Sequence, residues 1–414
     1  MSERLPFDCF ALPSGVDWSP VDEVLGRLEA RLKPVVGVRT VPLAEAAGHY
    51  LAEDVAALRS NPAAPNSAVD GYAFAGAAAA PEMTLLAGRA AAGAPFAGAV
   101  PPGAAVRILT GAVVPEGADT VAMQEDATVD GDRLTLAALP RKGANTRLAG
   151  EDVKAGEAVL AAGHRLRPQD LALLAACGHG TVTVRERLRV GVLSTGDEIR
   201  APGSEAAPHQ VYDANRPMLL GQAAAWGFTP VDLGHVPDDP DWVRDALNDG
   251  AAMADVILTS GGASAGDEDH VSALLSAEGA LATWRVAVKP GRPLALAMWN
   301  GVPVFGLPGN PVAAFVCTLV FAAPAFRRLA GGSWRLPAGV TVPAAFTKRK
   351  KRGRREYLRA RLTADGAAEV FRSEGSGLIS GLAWADGLVE LPDAAIDVTP
   401  GTPVRYIPYT AFAP

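Results

Sequence analysis

Residues 256–269 read VILTSGGASAGDED, a short run suited to a buried strand that passes straight into glycines and then into three acids. Residues 189–198, RVGVLSTGDE, repeat that pattern, and residues 304–311, VFGLPGNP, give a third version that ends in a helix start. Between and around these runs the apolar spacing predicts strands at 189–194, 229–234, 256–260 and 304–307. It predicts helices at 215–226, 241–252 and 271–276 and a long helix at 311–329. Strands alternating with helices of this length imply a mostly parallel sheet with helices on both faces. Ligands of such sheets sit beyond the carboxyl ends of the strands, so the residues following each strand are where chemistry is expected.

Outward from this core, Val21, Val24, Leu25, Leu28 and Leu32 recur at helical spacing until Pro34. Residues 36–165 hold short β-like runs at 83–87, 105–109, 120–123 and 133–136, cut by Gly and Pro, and a helix is expected at 168–176. After Gly331, strands are expected at 340–346, 356–362, 368–371, 387–391 and 402–407, a small β-barrel or sandwich.

The loops after the strands are Ser194-Thr195-Gly196-Asp197-Glu198, then Ser260-Gly261-Gly262-Ala263-Ser264 running on to Asp267-Glu268-Asp269, and Gly306-Leu307-Pro308-Gly309-Asn310-Pro311. Glycines and hydroxyls let backbone N–H groups approach an anion. Asn310 before Pro311 is a helix start whose partial positive charge faces the same edge. Alone, that loop is equally a turn and a cap; three such loops on one edge favour a ligand site. Asp197, Glu198, Asp238, Asp239, Asp267, Glu268 and Asp269 would repel a phosphate unless a cation intervened, and magnesium suits a few carboxylates with phosphate oxygens. Asp239 precedes Pro240 and reads as a helix cap, which leaves Asp238 as the functional partner. Lys289-Pro290-Gly291-Arg292-Pro293 sets two cations on a constrained loop, matched to an oxyanion. Elsewhere, residues 66–73, NSAVDGYA, read first as an Asp-Gly turn. Residues 348–355 carry seven positive charges and read as a charged hairpin edge, with anion steering as a further role.

Among 414 residues the formal charge is -7 and pI about 5.5, which argues against nucleic acid as a partner and for a small-molecule ligand. Cys9, Cys177 and Cys317 are too scattered for a disulfide framework or thiolate metal site, and six dispersed histidines do not suggest zinc. No signal-peptide pattern opens the chain and no apolar run reaches the roughly 18 residues of a bilayer span, so a cytoplasmic protein without membrane contact is expected. There is no Gly-x-Ser-x-Gly elbow and no P-loop lysine.

Eight segments together resemble the molybdopterin molybdenumtransferases, a family related to the E domain of gephyrin. They are NSAVDGYA (66–73), RILTGAVVPEGADTVAMQE (107–125), NTRLAGEDV (145–153), STGDE (194–198), YDANR (212–216), SGGASAGDED (260–269), KPGRP (289–293) and GLPGNPV (306–312). The resemblance implies a multidomain α/β protein. Its expected parts are a molybdopterin-binding domain at 17–36 and 186–332, a linking domain at 37–57 and 157–185, a β-rich domain at 58–156 and a C-terminal β domain at 333–414. It implies that adenylylated molybdopterin is cleaved with release of AMP while molybdate enters the dithiolene, with Mg2+ assisting, in a homodimer whose site is shared. Asp70, Thr110, Arg147 and Asp152 would come from one subunit. Glu198, Asp238, Asp269, Lys289 and Arg292 would come from its partner, the three acids as magnesium ligands and the two cations on molybdate or phosphate. Ser194, Thr195, Gly261, Gly262, Ser264, Pro308, Gly309 and Asn310 would hold the pterin or its phosphate. The chain departs from the family at Arg292, where a second lysine is frequent and is not an equivalent donor, and at His270, where tyrosine is common. Two other readings compete: a molybdopterin adenylyltransferase, which is also a possible partner protein, and a gephyrin-like scaffold. The extra β-rich regions argue against the first, and the fully occupied charged positions against the second.

Overall fold

The computed structural model describes residues 18–261, 270–278, 280–291 and 293–413. The chain divides into two compact units, one formed by the chain up to Arg39 with Gly48–Ala52 and Arg185–Pro414, the other by Thr40–Ala47 and Glu53–Val184.

The first unit is built on a six-stranded sheet. Its elements in chain order are α1 (Val21–Arg31), β1 (Arg189–Thr195), α2 (Asn215–Ala225), β2 (Thr229–Val236), α3 (Pro240–Met253), β3 (Val256–Ser260), α4 (His270–Ala277), β4 (Ala280–Arg285), β5 (Pro293–Trp299) and β6 (Val302–Leu307). The strand order is β2-β1-β3-β6-β5-β4, with β2, β1, β3 and β6 parallel and β5 and β4 antiparallel additions. Alternation sends Val190, Val192, Val256, Leu258, Phe305 and Leu307 to the face covered by α1, α2 and the helix from Pro311. Leu193, Ile257 and Val304 go to the face covered by α3 and α4. The central strand β3 is buried at all five positions, as expected of a parallel strand sandwiched by helices.

Two sequence expectations change here. The antiparallel pair β4 and β5 was not anticipated, and the helix expected at 311–329 is three joined pieces, Pro311–Cys317, a π-helical Thr318–Ala322 and Ala323–Leu329. Pro324 has no N–H to return to Val320, and Thr318 turns its hydroxyl back onto the Ala314 carbonyl at 2.8 Å, so the α-helical ladder cannot run through. By length and composition this helix could cross a bilayer, but 89% of it is buried inside the unit, as the core helix of a globular domain would be.

The same unit carries a second sheet made by Val340–Pro343, Arg355–Leu362, Gly387–Leu391 and Pro403–Pro408. Val288–Lys289 joins its edge in parallel with Arg355–Glu356, which ties the loop before β5 to the C-terminal strands. The second unit holds a six-stranded sheet in the order Thr120–Met123, Gly71–Phe74, Ala104–Ile108, Glu82–Ala90, Arg133–Leu136, Ala127–Asp130. Ala73, Val106 and Val121 pack on one face of it and Phe74, Ala105, Ala122 and Leu134 on the other.

Candidate active site

A parallel order of β2-β1-β3 reverses direction between β1 and β3, and the crevice beyond their carboxyl ends is the natural ligand site. Three loops meet there. Gly261 has φ +99°, and a Cβ on it would lie 2.5 Å from the Thr195 carbonyl oxygen, so only glycine lets the β3 loop pass this close to the β1 loop. A Cβ on Gly309 would be 3.8 Å from Gly261 Cα, which brings in the β6 loop. Asn215, the first residue of α2, fastens them: its amide donates to Ser260 Oγ and to the Gly309 carbonyl, both at 2.7 Å. This residue lies in the YDANR segment, yet only the structure shows it bridging two loops.

The crevice floor is polar in an unusual way. Ser194 Oγ, Thr195 Oγ1, Thr259 Oγ1 and Asn215 Oδ1 are buried without a hydrogen-bond partner among the described residues. Such groups each cost on the order of 1–3 kcal/mol unless something satisfies them, which suits a site that receives a polar ligand. Pro308 is buried, while Gly309 and Asn310 are exposed at the rim.

Asn310 occupies the N-cap position with Pro311 at the first turn, as expected, but its side chain makes no capping bond. The Val312 N–H instead donates to the Ser376 carbonyl at 3.1 Å, so part of this helix start is already satisfied by the turn that follows Ala368–Val370. Asp239 is the cap foreseen from sequence, its Oδ1 accepting from the N–H groups of Asp241 and Trp242 at 2.9 and 3.2 Å.

The acids after β1 and β2 lie side by side. Asp197 Oδ1 accepts from the Asp238 N–H at 3.2 Å, and His235 Nε2 lies 2.7 Å from the Gly196 carbonyl oxygen. Burial pushes the Asp238 carboxyl above the usual range, and the negative charges of Glu198 and Asp197 push it further. A divalent cation would offset the negative charge gathered around Asp238. Among the described residues no three His, Cys, Asp or Glu side chains gather as a metal cluster. Asp269, the third expected ligand, lies outside the described residues, as do Asp267, Glu268, Gly262, Ser264 and Arg292.

Lys289 sits on the same sheet edge, because β5 runs antiparallel to β6 and its start at Pro293 lies beside the end of β6. The loop is held by Gly291, where a Cβ would meet Cys317 Sγ at 2.5 Å. Lys289 Nζ is 2.6 Å from Glu374 Oε2 and 3.7 Å from Glu356 Oε1. Lys348 Nζ is 3.0 Å from Glu356 Oε2 and also bonds Glu374. Sequence reading missed this cluster because it depends on strand pairing between distant segments. It also corrects the reading of 348–355 as an exposed hairpin edge. Lys348–Lys350 pairs with Ile396–Val398, and Lys350 is buried with its ammonium on the carbonyls of Lys351, Asp393 and Ala394.

The remaining expected residues are in the second unit. Asp70 Oδ1 accepts from both the N–H and the hydroxyl of Thr110 at 2.7 Å, and the hydroxyl bond in particular holds its carboxyl below the usual range. Arg147 is exposed on a strand that pairs with Asn66, and Asp152 Oδ2 accepts from Asn61 Nδ2 at 2.9 Å. Sequence motifs far apart in the chain are therefore joined pairwise here.

Three family models cover the chain. Residues 19–178 match the MoeA N-terminal region (domain I and II), 191–328 a probable molybdopterin binding domain, and 341–409 the MoeA C-terminal region (domain IV). A molybdopterin molybdenumtransferase of Haemophilus influenzae is 36% identical over 374 residues, covering 89% of this chain and 93% of the relative. Molybdopterin molybdenumtransferase 2 of Mycobacterium tuberculosis is 35% identical over 383 residues, covering 88% and 94%. The crystal structure of a molybdopterin biosynthesis moeA protein from Pyrococcus horikoshii matches with a TM-score of 0.83 at 29% identity, covering 95% of this chain and all of that one.

Proposed function

The chain belongs to the molybdopterin molybdenumtransferase family, and from that premise we propose that it inserts molybdenum from molybdate into adenylylated molybdopterin, with release of AMP. It is a transferase of molybdenum cofactor biosynthesis. The observation that carries the reading is the convergence of the Thr195, Gly261 and Gly309 loops at the switch point of the sheet, with acids on one side and Lys289 on the other.

In this reading the β3 and β6 loops hold the pterin and its phosphate through backbone N–H groups, with Ser194 and Thr195 supplying hydroxyls from the crevice floor. Lys289, with Arg292, meets the oxyanion charge of molybdate or phosphate. Glu198 and Asp238, together with Asp269, would hold Mg2+, which when bound offsets the phosphate charge as it leaves. The strained Asp238 carboxyl supports this assignment, since a cation would relieve the repulsion from Glu198 and Asp197. Asp70, anchored by Thr110, with Arg147 and Asp152, would complete the site from the other subunit of a homodimer. A cytoplasmic setting and hand-over of substrate from a molybdopterin adenylyltransferase belong to the same proposal.

Purified protein incubated with adenylylated molybdopterin, Mg2+ and molybdate should release AMP and form molybdenum cofactor in equal amounts. AMP formation that ignores molybdate, or none at all, would sink the proposal.

A further inference from the structure

Lys289, Glu374, Lys348 and Glu356 close a four-membered ring of alternating charge, with Lys289 and Lys348 each placed between the same two carboxylates. The two acids are not equivalent. Glu356 is held on a paired strand with its side chain 11% exposed, whereas the Glu374 side chain is 45% exposed. Glu374 itself lines a cavity of about 220 Å³ whose other charged residues are Lys289, Lys348, Arg359 and Arg372. Arg359 is committed to the carbonyls of Ser373, Gly375 and Leu378, so it fixes the loop that presents Glu374. A solvent-accessible carboxylate thus spans two ammonium groups in the wall of a cavity whose other charged residues are cations, the position an incoming oxyanion would take.

We propose that Glu374 is a built-in counter-anion, which occupies the Lys289–Lys348 pair in the empty protein and is displaced when molybdate binds. The inference rests on the reading of Lys289 as an oxyanion ligand and adds a positioning residue that sets how tightly the anion is held. Displacement is cheap for Glu374 because its side chain can turn into water, while Glu356 stays to hold Lys348. Burial alone would raise the Glu374 carboxyl, but the two lysines outweigh it and keep it below the usual range, so it remains an anion at neutral pH.

The test is calorimetric titration of the full chain with sodium molybdate. Glu374→Gln should bind molybdate more tightly than the wild type, on the order of tenfold, while its melting temperature falls. Glu374→Asp, which keeps the charge, should bind like the wild type. Lys289→Met should bind much more weakly. Weaker or unchanged binding in Glu374→Gln, no heat in any protein, or a Glu374→Asp that behaves like Glu374→Gln overturns the counter-anion role. If Lys289→Met binds as well as the wild type, the oxyanion reading of Lys289 fails as well, and the two failures are thereby told apart.

Discussion

At the corner between β1 and β2, Asp197, Glu198 and Asp238 crowd together, and Asp238 is raised by burial and by its neighbours' charge. Some strands away, Lys289 and Lys348 are each matched to two carboxylates, and the lysines in turn hold Glu374 in its charged form. The first region gathers like charge, which a cation would offset; the second is balanced within the protein, and in the proposal above an anion would enter it by exchange with Glu374. Under the proposed function, one sheet edge would receive two oppositely charged partners without the two halves neutralising each other.

Breaking the balance in the second region has the larger expected effect. Lys348→Met leaves the 11%-exposed Glu356 side chain with Lys289, 3.7 Å away, as its one ion-pair partner among the described residues, and should cost about 1–3 kcal/mol of stability in denaturant unfolding at neutral pH. A variant as stable as the wild type would show that the cluster is not balanced as described. Removing charge from the first region should do the opposite, more weakly. Asp238→Asn should stabilise the protein by on the order of 0.5 kcal/mol at neutral pH without added Mg2+. The pH dependence has a definite sign: a carboxyl raised by folding contributes stability below its unfolded value and loses it as pH rises through its folded value. The advantage of Asp238→Asn over the wild type should therefore vanish in acid and grow as pH rises past the usual carboxylate range. A constant difference across pH would mean that Asp238 is not strained.

Much of this was legible from local pattern. The helix Pro168–Ala176 and the strands Thr120–Met123, Arg133–Leu136, Val256–Ser260 and Gly387–Leu391 lie where apolar spacing and flanking turn residues put them. Asp239 as cap followed from the proline at 240 alone. What local pattern does not carry is pairing. β4 and β5 were missed because their antiparallel register on β6 is a tertiary fact. Lys348 read as part of a charged hairpin edge for the same reason: nothing near it in sequence reveals that it meets Glu356 and Glu374. Asn215 stood inside a quoted segment, yet its bridging of Ser260 and Gly309 depends on α2 starting where the two loops meet.

The claim that one edge has a cation-seeking and an anion-seeking half is tested most directly by titrating Mg2+ and molybdate separately in the AMP-release reaction of Asp238→Asn. The Mg2+ concentration for half-maximal rate should rise by about 10–100-fold while the KM for molybdate stays within about twofold of the wild type. An unchanged Mg2+ requirement, or a molybdate KM that rises in step with it, would contradict the claim.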